Sequence, residues 1–505
     1  MIEIHKKVNV TVSQDTDNPY LKGLFEPVDT EYIANTDSLK VVGEIPKDLN
    51  GMYVRNSHNQ AHEPLGTYHP FDGDGMVHSI RFENGKAEYR NRFIETIGFL
   101  AEQAAGGKSL WPGMLEPHLE TYRGWGAMGT MKDNAGVDVM GHNGKIIASM
   151  SQCGEPYQLD PYTLETVGTA KWGSKLMPTG ICSHFKLDVD TGELMFFNFS
   201  ENFPFMNYGV VDKNEQLVHY EPIELPGPRW PHDMGITKNY TILHDLPYHF
   251  DPEDLKVGVR KLKFFPNQPS RFGVVPRRGN NSQVKWFEAS PCFILHLSNC
   301  YEDGDEVIMD GCIQDNPGKP AVGVQDGNPY DRIRKHLDKH HTRTHMYRWR
   351  FNMKTGKTTE EVLDDEITEF PVVANQIVGK PYRYSYNVLF KAGDWHMMGV
   401  KKFDLFTGDQ QRYEFGDNRF GSEPVIALRK DAKSEDDGYL LTFVTDMNTL
   451  TSECVILDAK DLEAGPVAIV SLPARITNGT HACWIEEERL DGETAHSKSI
   501  ANVTH

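Results

Sequence analysis

Apolar residues in this chain fall in short runs, many with a period of two. KAEYRNRFIE (86–95), GKIIASMSQ (144–152), GELMFFNFS (192–200), DEVIMDGCIQ (305–314), HMYRWRFNM (345–353) and DGYLLTFVTD (437–446) alternate or run apolar over a strand's length. They are rich in Val, Ile, Phe and Tyr, the residues that suit a pleated, half-buried surface. Gly, Asn and Asp punctuate them, as in FENGKA, GHNGKI and DKNEQ. Asn-Gly between two such runs predicts a tight hairpin, because both central residues must reach positive φ. A weak recurrence, DVDTGE (188–193), NMKTGK (352–357) and DLFTGD (404–409), predicts a shared hairpin turn opened by Asp or Asn, with Gly in the left-handed position. The chain is therefore read as all-β, and the recurrence suits a radial array of antiparallel sheets such as a propeller.

Helical periodicity is scarce. Thr96–Met114 is apolar on one side, and an insertion at about 96–125 is read either as a membrane-dipping or substrate-gating segment or as a cover packed over the sheet ends. Gln314–Asp338 reads as an exposed loop. Length alone would allow about three domains of about 150 residues. No composition break divides the chain, however, and residues 1–505 are read as one domain.

Composition narrows the partners. With 52 basic and 72 acidic residues the formal charge is -20, which repels phosphate backbones and excludes nucleic acid as the expected partner. No run approaches a spanning helix, and the N-terminus lacks the apolar core of a secretory signal, so a cytoplasmic location is expected. The seven cysteines are odd in number, form no CxxC pair and lie in or beside apolar runs, so they are read as buried free thiols.

Candidate chemistry lies among the 21 histidines. His184, His232, His296 and His481 sit in or at the ends of apolar strands, and His296 interrupts the run CFILHL, where an unpaired imidazole would be costly. Singly, each also reads as a hydrogen-bonded core histidine. Together they suit convergence on one axis of a closed propeller, and an all-imidazole set suits iron, copper, nickel or zinc. Glu369 and Glu423 are candidate carboxylates to orient the rings, or else ordinary surface acids. A second cluster, His336, His340, His341 and His345, lies in the basic stretch RKHLDKHHTRTH and is read as a solvated segment rather than a metal site.

Over nearly its whole length the chain resembles the carotenoid cleavage oxygenases. The likeness is carried by GEIPKDLNGMYVRN (43–56), FDGDGMVHSIRFENGKAEY (71–89), YQLDPYTLETVG (157–168), HFKLDVDTGELMFF (184–197), HDMGITKNYTILHDLPYHF (232–250), RFGVVPRR (271–278), DDGYLLTFVTD (436–446) and ILDAKDLEAGPVAIVSLPARI (456–476). The resemblance implies a seven-bladed propeller whose top face is covered by short helices and loops forming a hydrophobic tunnel. It also implies Fe(2+) held by His184, His232, His296 and His481, with Glu369 and Glu423 behind them. The implied reaction is cleavage of a C=C bond of a hydrophobic substrate by O2 to give two carbonyl products. Expected tunnel residues are Phe71, Trp111, Trp286, Phe293 and Trp484, with Met114 and Ser151, each of which also reads as plain core. Peripheral membrane contact for substrate uptake is a further expectation.

Two departures from the family pattern bear on chemistry. Gln152 stands where a third glutamate is usual, and Asp138 stands where Thr or Val commonly faces the iron, so Asp138 is expected to restore the missing carboxylate near the metal, unless the alignment slips here. Met114 and Ser151 stand where stilbene-cleaving members carry a Tyr and a Lys that activate a phenol, which shifts the expected substrate to carotenoid or apocarotenoid polyenes. Nearby Tyr122 and Lys132 keep a stilbene or phenylpropanoid substrate as the alternative, followed by a retinoid-type isomerase. A non-catalytic binding platform would have no need of four such histidines.

Overall fold

The computed structural model describes residues 2–116, 131–172, 180–257, 261–315, 317–318 and 328–492. Tyr122 and part of the 96–125 insertion lie outside them. The six alternating segments form the strands Lys86–Phe93, Lys145–Ser149, Glu193–Phe199, Glu306–Gln314, Thr344–Asn352 and Gly438–Asp446. Antiparallel pairing gathers the strands into seven sheets of four to six strands and one two-stranded ribbon. These seven sheets are the blades of a seven-bladed β-propeller.

The hairpins follow the local chemistry read from sequence. Asn84 and Gly85, and Asn143 and Gly144, all adopt positive φ. In the recurrent turn, the side chain of Asp188, Asn352 or Asp404 accepts the backbone N–H groups two and three residues on. Gly192, Gly356 and Gly408 then take φ of 72°, 76° and 77°, a conformation that other residues adopt at a cost.

The chain forms two compact units. The first comprises Met1–Ser183, Lys213–Gln216 and Phe415–His505, and the second His184–Asp212 and Leu217–Glu414. In the first unit the late strand Gly479–Glu486 pairs with Gly51–His58, and Val41–Gly43 pairs with Pro466–Ser471, so the chain's beginning and end share sheets. Its core packs Tyr53, Phe82, Phe443 and Trp484. The second unit's core centres on Phe272, Trp349 and Phe351. All seven cysteines are buried free thiols.

Helix is sparse but placed differently from the sequence reading. Within 96–114 the helix is short, Ile97–Ala104, capped by the Thr96 hydroxyl accepting from the Phe99 N–H. The stretch read as an exposed loop contains the helix Pro329–Leu337, opened by Asn328 as cap and Pro329 in the first turn. Proline there forfeits no hydrogen bond the helix would have used. Among the described residues no helix is long and apolar enough to cross a membrane.

Lys132 is buried with its ammonium 2.5 Å from both Asp74 and Glu102. Burial opposes its charge, but the two carboxylates outweigh that and hold it above the usual lysine value. Lys132→Met would strand two buried acids. It is expected to lower stability by about 3–5 kcal/mol in a denaturant titration, whereas a surface-like loss below about 1 kcal/mol would contradict this reading.

Candidate metal centre

In each of the seven sheets one strand at or beside the sheet's edge carries or adjoins a residue of interest. Asp138 starts Asp138–His142, His184 precedes Lys186–Asp188, and His232 precedes Gly235–Ile236. His296 lies in Phe293–Asp303, Glu369 in Thr368–Val372, Glu423 just before Val425–Leu428, and His481 in Gly479–Glu486. The ladders slip between Ile294 and Leu297, between Glu369 and Val372, and between Gly479 and Ala482. Such irregularities re-aim side chains near functional sites.

In the second unit, His184, His232 and His296 each offer a ring nitrogen, and these atoms all lie within 4.8 Å of one another. The Nε2 atoms of His184 and His232 are 3.1 Å apart, and all three rings are buried. The His296 Nδ1 lies 2.5 Å from Glu369 Oε2. That carboxylate also accepts the Phe370 N–H. As an acceptor Glu369 keeps the proton on Nδ1, which leaves the Nε2 lone pair for a cation. Three imidazole nitrogens without a thiolate fit a divalent transition metal. His184 itself has φ 65° and Phe370 has φ 52°, left-handed conformations that non-glycine residues hold only when the surroundings enforce them.

Asp233, which the sequence reading missed, ties together the segments that carry the three histidines. Its Oδ1 accepts from the Lys186 ammonium at 2.7 Å and the Met234 N–H at 2.7 Å, and its Oδ2 accepts from the Leu297 N–H at 2.8 Å. Each donor lies one or two residues from His184, His232 or His296. The only sequence signal is adjacency, in HFK and HDM.

In the first unit His481 repeats the His296 arrangement. Its Nδ1 lies 3.2 Å from both oxygens of Glu423, and Glu423 also accepts the next N–H, from Ala482, at 2.6 Å. The His481 N–H donates to the Val137 carbonyl at 3.3 Å, beside Asp138. Asp138 Oδ1 accepts from the Val139 N–H, and Gln152 is buried next to Cys153, whose φ is 62°.

The expected tunnel residues divide. Phe293 stacks on Trp230 at 5.5 Å between centroids, and Trp230 lies 5.9 Å from His232, so this pair flanks the cluster. Phe293 also meets Tyr248 edge-on at 4.9 Å. Phe71 stacks on His58 at 4.9 Å. Met114 packs with Met131, Val137 and Met150, and the Ser151 carbonyl accepts from Cys182 Sγ. Trp111 lines a cavity of only about 20 Å³ with Asp72 and Lys132. Two assignments need correction. Trp286 lies on an outer edge strand under the Arg271 guanidinium, 4.6 Å from its centroid, and Trp484 fills the first unit's core. A large aromatic ring suits a core or a cation's underside as well as a tunnel, so sequence does not separate these roles. His340 and His345 turn to the carbonyls of Phe390 and Arg343, and no metal cluster forms there among the described residues.

Comparison with known proteins agrees with this geometry. The family model described as retinal pigment epithelial membrane protein matches residues 25–486. A carotenoid 9,10(9',10')-cleavage dioxygenase of Arabidopsis thaliana is 32% identical, over 98% of this chain and 95% of its own. An isoeugenol monooxygenase of Pseudomonas nitroreducens is 29% identical, over 93% and 98%. Among solved structures, Pseudomonas brassicacearum lignostilbene dioxygenase aligns with TM-score 0.80 and 25% identity, covering 93% of this chain and 99% of its own. A variant of Synechocystis apocarotenoid oxygenase aligns with TM-score 0.78 and 25% identity, covering 92% and 98%. On this full-length likeness the chain belongs to the carotenoid cleavage oxygenase family and is an oxidoreductase, a dioxygenase that cleaves double bonds.

Proposed function

We propose that the protein is an Fe(2+) dioxygenase that cleaves a C=C bond of a carotenoid or apocarotenoid polyene to two carbonyl products. The observation that carries this reading is the trio of imidazole nitrogens within 4.8 Å, one of them oriented by Glu369. His481 is the fourth ligand in this proposal. Its support is the repeated device: Nδ1 against a glutamate that also accepts the following N–H, the same arrangement that orients His296. The innermost strand of each propeller blade faces the central channel, so one residue per blade suits a site on the axis. Ferrous iron supplies the unpaired electrons that let ground-state dioxygen react with a closed-shell alkene.

The chain's own residues position and shield. Trp230 and Phe293 give an apolar wall beside His232, which suits a hydrocarbon substrate and keeps water away. Which bond is cut then depends on how far the polyene slides along that wall. The phenol-activating alternative loses support at its expected handles. Lys132 is already held by two carboxylates, and Met114 sits among methionines. Exposed Ile97, Leu100 and Leu110 offer apolar contact to a membrane surface from which such a substrate is drawn.

Purified protein is expected to hold one iron per chain and to lose activity on chelation. Under labelled dioxygen both aldehyde products should carry label, and unlabelled, isomerised product would overturn the reading in favour of an isomerase. Glu369→Gln and Glu423→Gln are each expected to weaken iron retention about 10–100-fold in competition with a chelator. Wild-type retention in Glu423→Gln would remove the support for His481 as a ligand. Asp138 is proposed to lie close enough to tune the metal. Asp138→Ala should then shift the iron X-ray absorption edge, and an unchanged edge sinks that contact.

A further inference from the structure

Two lines of rings lead outward from the histidine cluster, and both end on one short helical stretch. The first runs from His232 through Trp230 and Phe293 to Tyr248. Tyr248 then stacks on His336, with centroids 6.3 Å apart and planes 26° from parallel. The second starts at His296, which packs on Phe370 at 4.6 Å, and continues to Trp395 at 5.7 Å. The Lys339 ammonium lies 4.8 Å from the Trp395 centroid. His336 stands near the end of the helix Pro329–Leu337, and Lys339 opens the next turn, Lys339–Thr342. Burial, with the Lys339 charge adding to it, pushes His336 down to about 4. The two lines therefore close a circuit of aromatic faces with metal-binding imidazoles at one end and two basic side chains at the other.

Lys339 is the anomalous member. It is 1% exposed, yet no hydrogen bond or ion pair to a described residue holds its ammonium. The buried Lys132 and Lys401 each have two carboxylates at 2.5 Å. Burial pulls Lys339 below the usual lysine value, and Glu369 only partly opposes this. Glu369 and Asp338 reach Lys339 as a field rather than as a contact ion pair, and the Oε2 of Glu369 already accepts from His296 and the Phe370 N–H. The Trp395 face offsets some of the desolvation, as a π face does for any cation. An ammonium kept in an apolar enclosure without an anion is completed by one that enters with the ligand.

Resting on the reading of the histidine cluster as the centre of double-bond cleavage, we infer that Lys339 is a specificity-determining residue for a conjugated substrate that ends in an anionic oxygen. Such an oxygen belongs either to a polyene carboxylate or to the phenolate of a hydroxystilbene. The rigid conjugated chain lies along the ring-lined walls, and Lys339 fixes its far end, so the distance from that oxygen to the histidines selects the bond. His336, largely neutral at physiological pH, assists as a second polar contact beside it.

The test is equilibrium binding to the iron-loaded protein under argon, where no turnover occurs, read by quenching of tryptophan fluorescence. The probes are retinoate against retinol, and para-hydroxystilbene against stilbene. Lys339→Met is expected to weaken retinoate, or para-hydroxystilbene that loses its phenolic proton on binding, about tenfold or more and leave the matching retinol or stilbene within about twofold. Lys339→Arg should restore the anionic ligand to within about threefold of wild type. Unchanged binding of the neutral ligand also reports that the variant is folded. The pair that responds identifies the source of the oxygen. Equal loss of both members of each pair, or no loss in either pair, overturns the inference. Admitting labelled dioxygen afterwards separates the two proposals. Lys339-dependent binding without labelled carbonyl product defeats the cleavage reading alone, and labelled product with no Lys339 discrimination defeats the anchor alone.

Discussion

Three imidazoles can point their nitrogens at one small volume inside a protein only if the proton on each ring is kept on the other side. That constraint organises the second unit. Glu369 meets it for His296 by accepting at Nδ1, and it is itself fixed by the Phe370 N–H. Asp233 meets a different need. It takes donors from beside all three histidines and so holds their segments at one spacing. With either carboxylate gone, the rings would lose tautomer or position, and an all-nitrogen site would lose its affinity.

The sheets supply the stiffness this arrangement needs. A residue on an edge strand has ladder hydrogen bonds on one side only, so it can bulge or turn without disrupting the blade behind it. His296, Glu369 and His481 all lie at such irregularities. The left-handed backbone at His184 and Phe370 is strain of order 1–3 kcal/mol each, which persists only where the surrounding structure enforces it. At these two positions the strain falls within and beside the histidine cluster.

Buried charge is handled in three ways, one of them the Arg55 guanidinium donating to the neutral oxygens of Ser422 and Thr477. Lys132, Lys401 and Arg348 are matched by carboxylates and so are structural. Lys339 is matched by an aromatic face and a partial field from Glu369. The difference marks which buried cation is built to stay as it is and which is built to meet something else.

Strand identity, hairpin turns and the all-β class were legible because they depend on neighbours within a few residues. Alternation sets a face, Asn-Gly sets a turn, and Asp or Asn with Gly four residues on sets the recurrent hairpin. His296 was legible as chemistry because an imidazole within CFILHL is too polar for its surroundings. Trp286 and Trp484 were misplaced because an aromatic side chain carries no mark of whether it lines a tunnel or fills a core. Asp233 and Lys339 were invisible for the opposite reason: an Asp or Lys in sequence is ordinarily a surface residue. What the sequence determined by itself was the local geometry and which histidines and carboxylates were candidates for a common site. Which histidines meet, which carboxylate backs which ring, and which cation is left without an anion were decided only by the tertiary structure, because those contacts join residues tens of positions apart whose approach depends on how whole sheets pack.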